Sequence, residues 1–127
     1  MPKKSTILLV EDDQFLAELY ATKLNLEGYE VILASDGERG LKLATDKVPN
    51  LILLDIILPK MDGFEMLKKL KSNKKTSAIP VILLTNLSQK DEVKKGLNLG
   101  ANDYLIKAHF MPSEVINKIK KVLDDKK

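Results

Sequence analysis

Apolar residues fall along this chain in two alternating textures. One is compact: residues 7–10, 29–34, 51–54, 81–84 and 103–106 are short stretches rich in Ile, Leu, Val and Tyr. The other is spaced. Leu16, Tyr20 and Leu24, then Leu41 and Ala44, then Phe64, Leu67 and Leu70, then Val93 and Leu97, then Val115, Ile119, Val122 and Leu123 recur at helical intervals. A run such as Leu51-Ile52-Leu53-Leu54 has no polar partner inside it. Such a run suits a strand covered on both faces, as in a parallel sheet, better than a half-exposed one. Each spaced group draws one apolar stripe along a helix. Five strand–helix pairs in strict alternation predict an α/β domain, a parallel sheet with helices on both faces, because each crossover must be right-handed.

The residues between these segments punctuate them in the expected way. Asp13 is placed to cap the first helix and Gly28 to close it. Asp36-Gly37 opens the second helix, and Gly40 inside it costs about 1 kcal/mol of helix propensity relative to Ala. Pro49 precedes the third strand. Pro59 and Gly63 mark the loop after that strand, and Asp62 with Glu65 reads as a capping box for a helix over residues 63–71. Lys68, Lys69, Lys71, Lys74 and Lys75 gather at that helix's C-terminus, where cations favour the dipole and a solvated end is the simplest reading. Pro80 opens the fourth strand. Ser88 with Asp91 opens the fourth helix, Gly100 closes it, and Pro112 starts the last.

In a parallel sheet all strand ends of one polarity open on the same edge, and open α/β sheets put their chemistry at the carboxyl edge. The first strand ends in Glu11 and Asp12, the third in Asp55, the fourth in Thr85 and the fifth in Lys107. Taken singly, each has an ordinary explanation. Asp55 is a cap or an ion pair, Thr85 a turn residue, Lys107 a solvated cation, and Tyr104 a core or edge aromatic. Taken together, three acids, a hydroxyl and an amine meet on one edge from points nearly the whole chain apart. That joint placement is far more specific than any member of it.

Composition narrows the chemistry further. The chain has 127 residues, 44% hydrophobic and 31% charged, which suits one ordered domain. It has no cysteine, which excludes disulfides, thiolate metal sites and a cysteine nucleophile. His109 is the single histidine, so neither a histidine metal cluster nor a Ser-His-Asp triad is expected. No apolar run approaches the roughly 20 residues that span a bilayer, and acids follow the N-terminus too soon for a signal peptide. A cytoplasmic protein is expected. The net charge of +3 is too mild to argue for nucleic acid.

The motifs VEDD (residues 10–13), LLDIILPKMDG (53–63), LLTN (83–86) and DYLIKA (103–108) resemble those of the receiver domain of two-component response regulators. The resemblance covers residues 7–123. It implies a flavodoxin-like doubly wound sheet of five parallel strands in the order 2-1-3-4-5 with five helices. It implies that Asp55 accepts a phosphoryl group and that Glu11 and Asp12 are the acidic pair holding magnesium. Direct bonds are expected from Asp12, Asp55 and the backbone carbonyl of Ile57, with Glu11 acting through water. Thr85 and Lys107 would touch the phosphoryl group, and Thr85 and Tyr104 would form the switch that alters the surface of helix four, strand five and helix five.

The donor would be a sensor histidine kinase or a histidine phosphotransfer protein, and the reader a downstream protein. No direct nucleic-acid or membrane contact is expected, and the chain would be a monomer or a weak phosphorylation-dependent dimer. Residues 1–127 read as a single receiver domain with no output domain, either a stand-alone type like the chemotaxis regulators, which is the favoured expectation, or the receiver of a longer regulator, and as a signalling switch rather than an enzyme. Three positions depart from the family pattern. Ala108 stands where a proline with a cis bond is usual, which predicts a trans bond here, and Asn86 and Gly40 replace smaller or alanine residues. The alternative is a haloacid-dehalogenase-like phosphatase, whose nucleophile sits in an Asp-x-Asp motif on the first strand, whereas Asp55 ends the third. A flavin or nucleotide carrier would want a Gly- or Ser/Thr-rich loop where Glu11-Asp12-Asp13 stands.

Overall fold

The computed structural model describes residues 4–85, 90–106 and 112–125. Among them the chain forms β1 (Thr6–Val10), α1 (Gln14–Leu26), β2 (Glu30–Ala34), α2 (Gly37–Lys47), β3 (Leu51–Asp55), α3 (Gly63–Ser72), β4 (Val81–Thr85), α4 (Lys90–Asn98), β5 (Asp103–Ile106) and α5 (Pro112–Asp125). The strands form one sheet in the order β2-β1-β3-β4-β5, and every neighbouring pair is parallel. The alternation predicted a parallel sheet with helices on both faces, and the observed strand order is the doubly wound, flavodoxin-like one that the family resemblance implied.

The two faces of the sheet carry two cores. Leu8, Val10, Ile52, Leu54, Val81 and Leu83 point to one face and pack with Ala44 of α2 and with Met66, Leu67 and Leu70 of α3. Ile7, Leu9, Leu51, Leu53, Ile82 and Leu84 point to the other and pack with Ala17, Tyr20 and Leu24 of α1 and Val115, Ile116 and Ile119 of α5. Period-two alternation along each strand sorts the residues, so β3 and β4 are buried along their whole length. That is why those two stretches contain no polar residue before Asp55 and Thr85.

The caps fall where the sequence put them. Asp13, Asp36 and Asp62 accept hydrogen bonds from the amides of Leu16, Arg39 and Glu65 at 3.1, 2.8 and 2.9 Å. Gly28 and Gly100 take positive φ after α1 and α4. Gly40 has a packing reason: a Cβ there would stand 2.9 Å from a Val10 methyl and 3.0 Å from Met66 Cε. The helix gives up propensity to lie close on β1.

Two expectations change. Leu97 is 39% exposed rather than part of an inward stripe, because α4 meets the sheet through Gly96, where a Cβ would collide with Leu83. Lys71 is not simply solvated; its Nζ donates to the carbonyls of Ser77 and Ile79 at 3.2 and 2.9 Å and ties the α3–β4 turn to its helix. The expectations on Asn86, Ser88, the Lys107–Ala108 bond and His109 fall outside the described residues.

Candidate functional site

Sheet register decides which side chains meet at the carboxyl edge. Val10 lies beside Leu54, so the next step in each strand sets Glu11 beside Asp55. Asp55 in turn pairs with Leu84, and Thr85 with Ile106. Glu11, Asp12 and Asp55 bring carboxylate oxygens within 4.8 Å of one another. Glu11 and Asp55 are buried and Asp12 is exposed, so the cluster opens to solvent on one side. A hollow of about 330 Å³ adjoins it, bounded by Glu11, Asp12 and Gln14 on one wall and Leu33, Ala34 and Ser35 on the other.

Local structure explains how three acids are gathered there. Of the consecutive Glu11-Asp12-Asp13, the last is used as the α1 cap. Glu11 continues the ladder by donating its amide to the Ala34 carbonyl at 3.0 Å, which holds the β1 end against β2. Asp55 closes β3, and the Ile57 amide donates to its Oδ1 at 3.1 Å, fixing the plane of the carboxylate. The loop then doubles back. Met61 donates its amide to the Pro59 carbonyl at 2.8 Å across Lys60, whose φ is 67°, a three-residue γ-turn with a left-handed centre. Gly63 donates to the Ile56 carbonyl at 2.8 Å, and a Cβ on Gly63 would collide with the Asp55 carbonyl oxygen. Glycine therefore lets the α3 N-terminus seat directly against the end of β3.

Three carboxylates at this spacing repel one another at neutral pH, and their donor set is all hard oxygen. Both facts fit a small divalent cation such as magnesium, which takes oxygen ligands and keeps several waters. The open side at Asp12 leaves room for those waters. Ile57 sits next to this group in the loop after β3 and is 59% exposed at its mouth.

Thr85 is 1% exposed at the end of β4. By strand alternation it points to the face of Leu83, and Leu83 is the register partner of Tyr104. Tyr104 is half-buried on that same face. The structure thus brings Glu11, Asp12, Asp55, Ile57 and Thr85 to one edge and sets Tyr104 on the face below Thr85; Lys107 is outside the described residues.

Two features were not legible in the motifs. Tyr20 looked like a stripe residue and is fully buried. Its phenol pKa is pushed well above the ordinary 10.0, first by burial and then by the negative charge of Glu11, Asp55 and Glu114. Its hydroxyl therefore lies in the field of the acidic cluster, from beneath. Lys118, which no motif singles out, reaches Asp103 and Tyr104. No spacing rule signals either, because both depend on which faces the helices present after packing.

The profile of the family described as the response regulator receiver domain matches residues 7–120, and the chain belongs to that family. The chain is similar to the alkaline phosphatase synthesis transcriptional regulatory protein PhoP of Bacillus subtilis, 42% identical over 117 residues, covering 92% of this chain and 48% of that protein. Its fold is similar to that of a CheY-like response regulator receiver domain protein from Methanospirillum hungatei, with a TM-score of 0.89 and 32% identity over 97% of this chain and 96% of that one. It is likewise similar to the receiver domain of the Francisella response regulator 1452, with a TM-score of 0.88 and 30% identity, covering 98% and 100%. The chain spans about half the length of the curated relatives it matches.

Proposed function

We propose that this chain is a phosphorylation-dependent switch in which Asp55 accepts a phosphoryl group from a histidine kinase or histidine phosphotransfer protein. The observation that carries the reading is the meeting of Glu11, Asp12 and Asp55 carboxylates within 4.8 Å at the carboxyl edge of a receiver fold. Phosphoryl transfer asks a protein for positioning and charge neutralisation more than for covalent help. An Asp55 oxygen attacks phosphorus in line with the leaving nitrogen of the phosphohistidine; the P–N bond breaks as the acyl phosphate forms. The Ile57 amide holds the Asp55 carboxylate in one orientation for that attack. Asp12, Asp55 and the Ile57 carbonyl would hold magnesium, with Glu11 acting through a water, and the ion would supply positive charge against the negative charge that otherwise repels the donor. Thr85 donates its hydroxyl to one phosphoryl oxygen, and Lys107 pairs with another.

The drawing in of Thr85 then frees space on the face it shares with Tyr104, and the surface of α4, β5 and α5 changes for a downstream protein to read. Residues 1–127 act here as one cytoplasmic receiver unit. Asp55 on the third strand, together with the family match, favours this reading over a dehalogenase-like phosphatase.

Incubation with acetyl phosphate and magnesium should add one phosphoryl group to the wild-type chain, read by intact mass. Asp55→Asn should add none, and chelating the magnesium should stop the reaction. Stoichiometric phosphate on Asp55→Asn, or continuous turnover of acetyl phosphate without a phosphoprotein, would show that the acceptor or the reaction is wrongly assigned.

A further inference from the structure

Lys118 stands on α5, whose apolar residues Val115, Ile116, Ile119 and Val122 pack on one face of the sheet. Tyr104 belongs to the core on the opposite face. The two meet because β5 is the edge strand and the lysine side chain is long enough to pass around it. Its Nζ donates to the Tyr104 carbonyl at 2.6 Å and to Asp103 Oδ1 at 3.1 Å, and it lies 4.7 Å from the centre of the Tyr104 ring. The Lys118 and Asp103 side chains are only 26% and 27% exposed. Asp103 also accepts from the Tyr104 amide at 2.8 Å, so carboxylate, ammonium, carbonyl and ring form one closed set of contacts around a single residue.

We propose that Lys118 is a positioning residue that restrains the Tyr104 ring at the β5 edge and so sets the resting level of the switch. The inference rests on the reading of Tyr104 as part of that switch. An ammonium anchored on the strand backbone and on Asp103 cannot follow the ring inward. Its attraction to the ring face is therefore present in the edge position and lost when the ring moves along the sheet toward Thr85. A contact made in one state and absent in the other biases the equilibrium by its full strength. By reciprocity, whatever opposes the inward ring also opposes the phosphorylation that favours it. A lysine that merely tied α5 to β5 would stabilise both states alike and bias nothing.

The test follows the ring directly. The chain has three tyrosines, so 3-fluorotyrosine labelling gives three fluorine signals, and loss of one in Tyr104→Phe assigns it. In wild type, beryllofluoride with magnesium should move the Tyr104 signal; a signal that ignores them overturns the switch reading itself, independently of Lys118. In the resting protein, with no phosphoryl mimic, Lys118→Met should move the Tyr104 signal part of the way toward its loaded position. The change corresponds to roughly a threefold to fivefold shift in the ratio of ring positions, the size of one partly exposed cation–π contact. Phosphorylation by acetyl phosphate should quicken by a similar factor. Asp103→Asn should act in the same direction, and Lys118→Arg, which keeps both the charge and a planar group over the ring, should hold the wild-type position. An unmoved Tyr104 signal and an unchanged phosphorylation rate in Lys118→Met, with only a lower melting temperature, overturn the proposal.

Discussion

At the scale of single residues, the site depends on one backbone conformation that a lysine does not favour. Lys60 occupies the left-handed region at the centre of the γ-turn that folds the loop back from Asp55 toward α3. For a residue with an unbranched Cβ that conformation costs about 1 kcal/mol or slightly more, and for a β-branched residue it is a true outlier. The ion pair with Asp36, 3.8 Å long with a largely exposed ammonium, offsets little of it. Lys60→Val should therefore lower the unfolding free energy by about 1–2 kcal/mol. Lys60→Gly should stay within about 0.5 kcal/mol of wild type, because relief of strain is balanced by the greater freedom of glycine in the unfolded chain. Urea denaturation of the three proteins checks this. Equal stability of the valine and glycine forms would mean that the turn relaxes and its φ does not matter. The same loop must hold its shape for the Ile57 amide to reach Asp55, so the valine form should also be phosphorylated more slowly.

At the scale of elements, the α3–β4 turn shows how a polar segment is kept in place beneath a buried strand. Thr76 is fully buried, and its hydroxyl donates to the Leu70 carbonyl at 2.6 Å and to the Asn73 carbonyl at 3.4 Å, near the end of α3. Lys71 closes the other side through Ser77 and Ile79. Thr76→Val keeps the shape and removes the donor, leaving the Leu70 carbonyl with the long 3.4 Å bond from the Asn73 amide in place of the short one from the hydroxyl, while the Asn73 carbonyl keeps the Thr76 and Ser77 amides. A loss of about 1–2 kcal/mol is expected, with Thr76→Ser recovering most of it. If valine and serine are equally stable in denaturant titration, the hydroxyl is not what anchors the turn. Strands could be read from unbroken apolar runs, and β5 was placed over the same four residues. The α3 cap was read from Asp62 and Glu65, and the acidic site from acids standing at strand ends. The Thr76 and Lys71 staples, the inward seat of Gly96 and the reach of Lys118 were not legible. Each depends on a contact between elements whose mutual angle no local pattern encodes, and a lysine or threonine in isolation reads as surface.

At the scale of the whole molecule, folding gathers charges that the unfolded chain keeps apart. Glu11 and Asp12 lie more than forty residues from Asp55 in sequence, yet the β1–β3 register brings all three carboxylates within 4.8 Å. Two like charges at that distance repel by about 1 kcal/mol even in a water-like dielectric, and the burial of Glu11 and Asp55 makes the true figure no smaller. Asp12 is exposed, so removing it relieves only the screened part of the repulsion. Without divalent cation, Asp12→Ala should then be more stable than wild type by about 1 kcal/mol, a rise of roughly 3–5 °C in melting temperature. The difference should shrink as sodium chloride screens the site. Added magnesium should reverse the order. A cation that binds only the folded chain stabilises it by about 2.7 kcal/mol at a hundredfold excess over its dissociation constant, and a variant lacking one of the three carboxylates forfeits most of that gain. Melting curves of both proteins in EDTA and across a magnesium series test the argument in one experiment. If the order does not invert, the three acids do not share a cation, and the transfer to Asp55 proposed above would need its charge neutralisation from elsewhere.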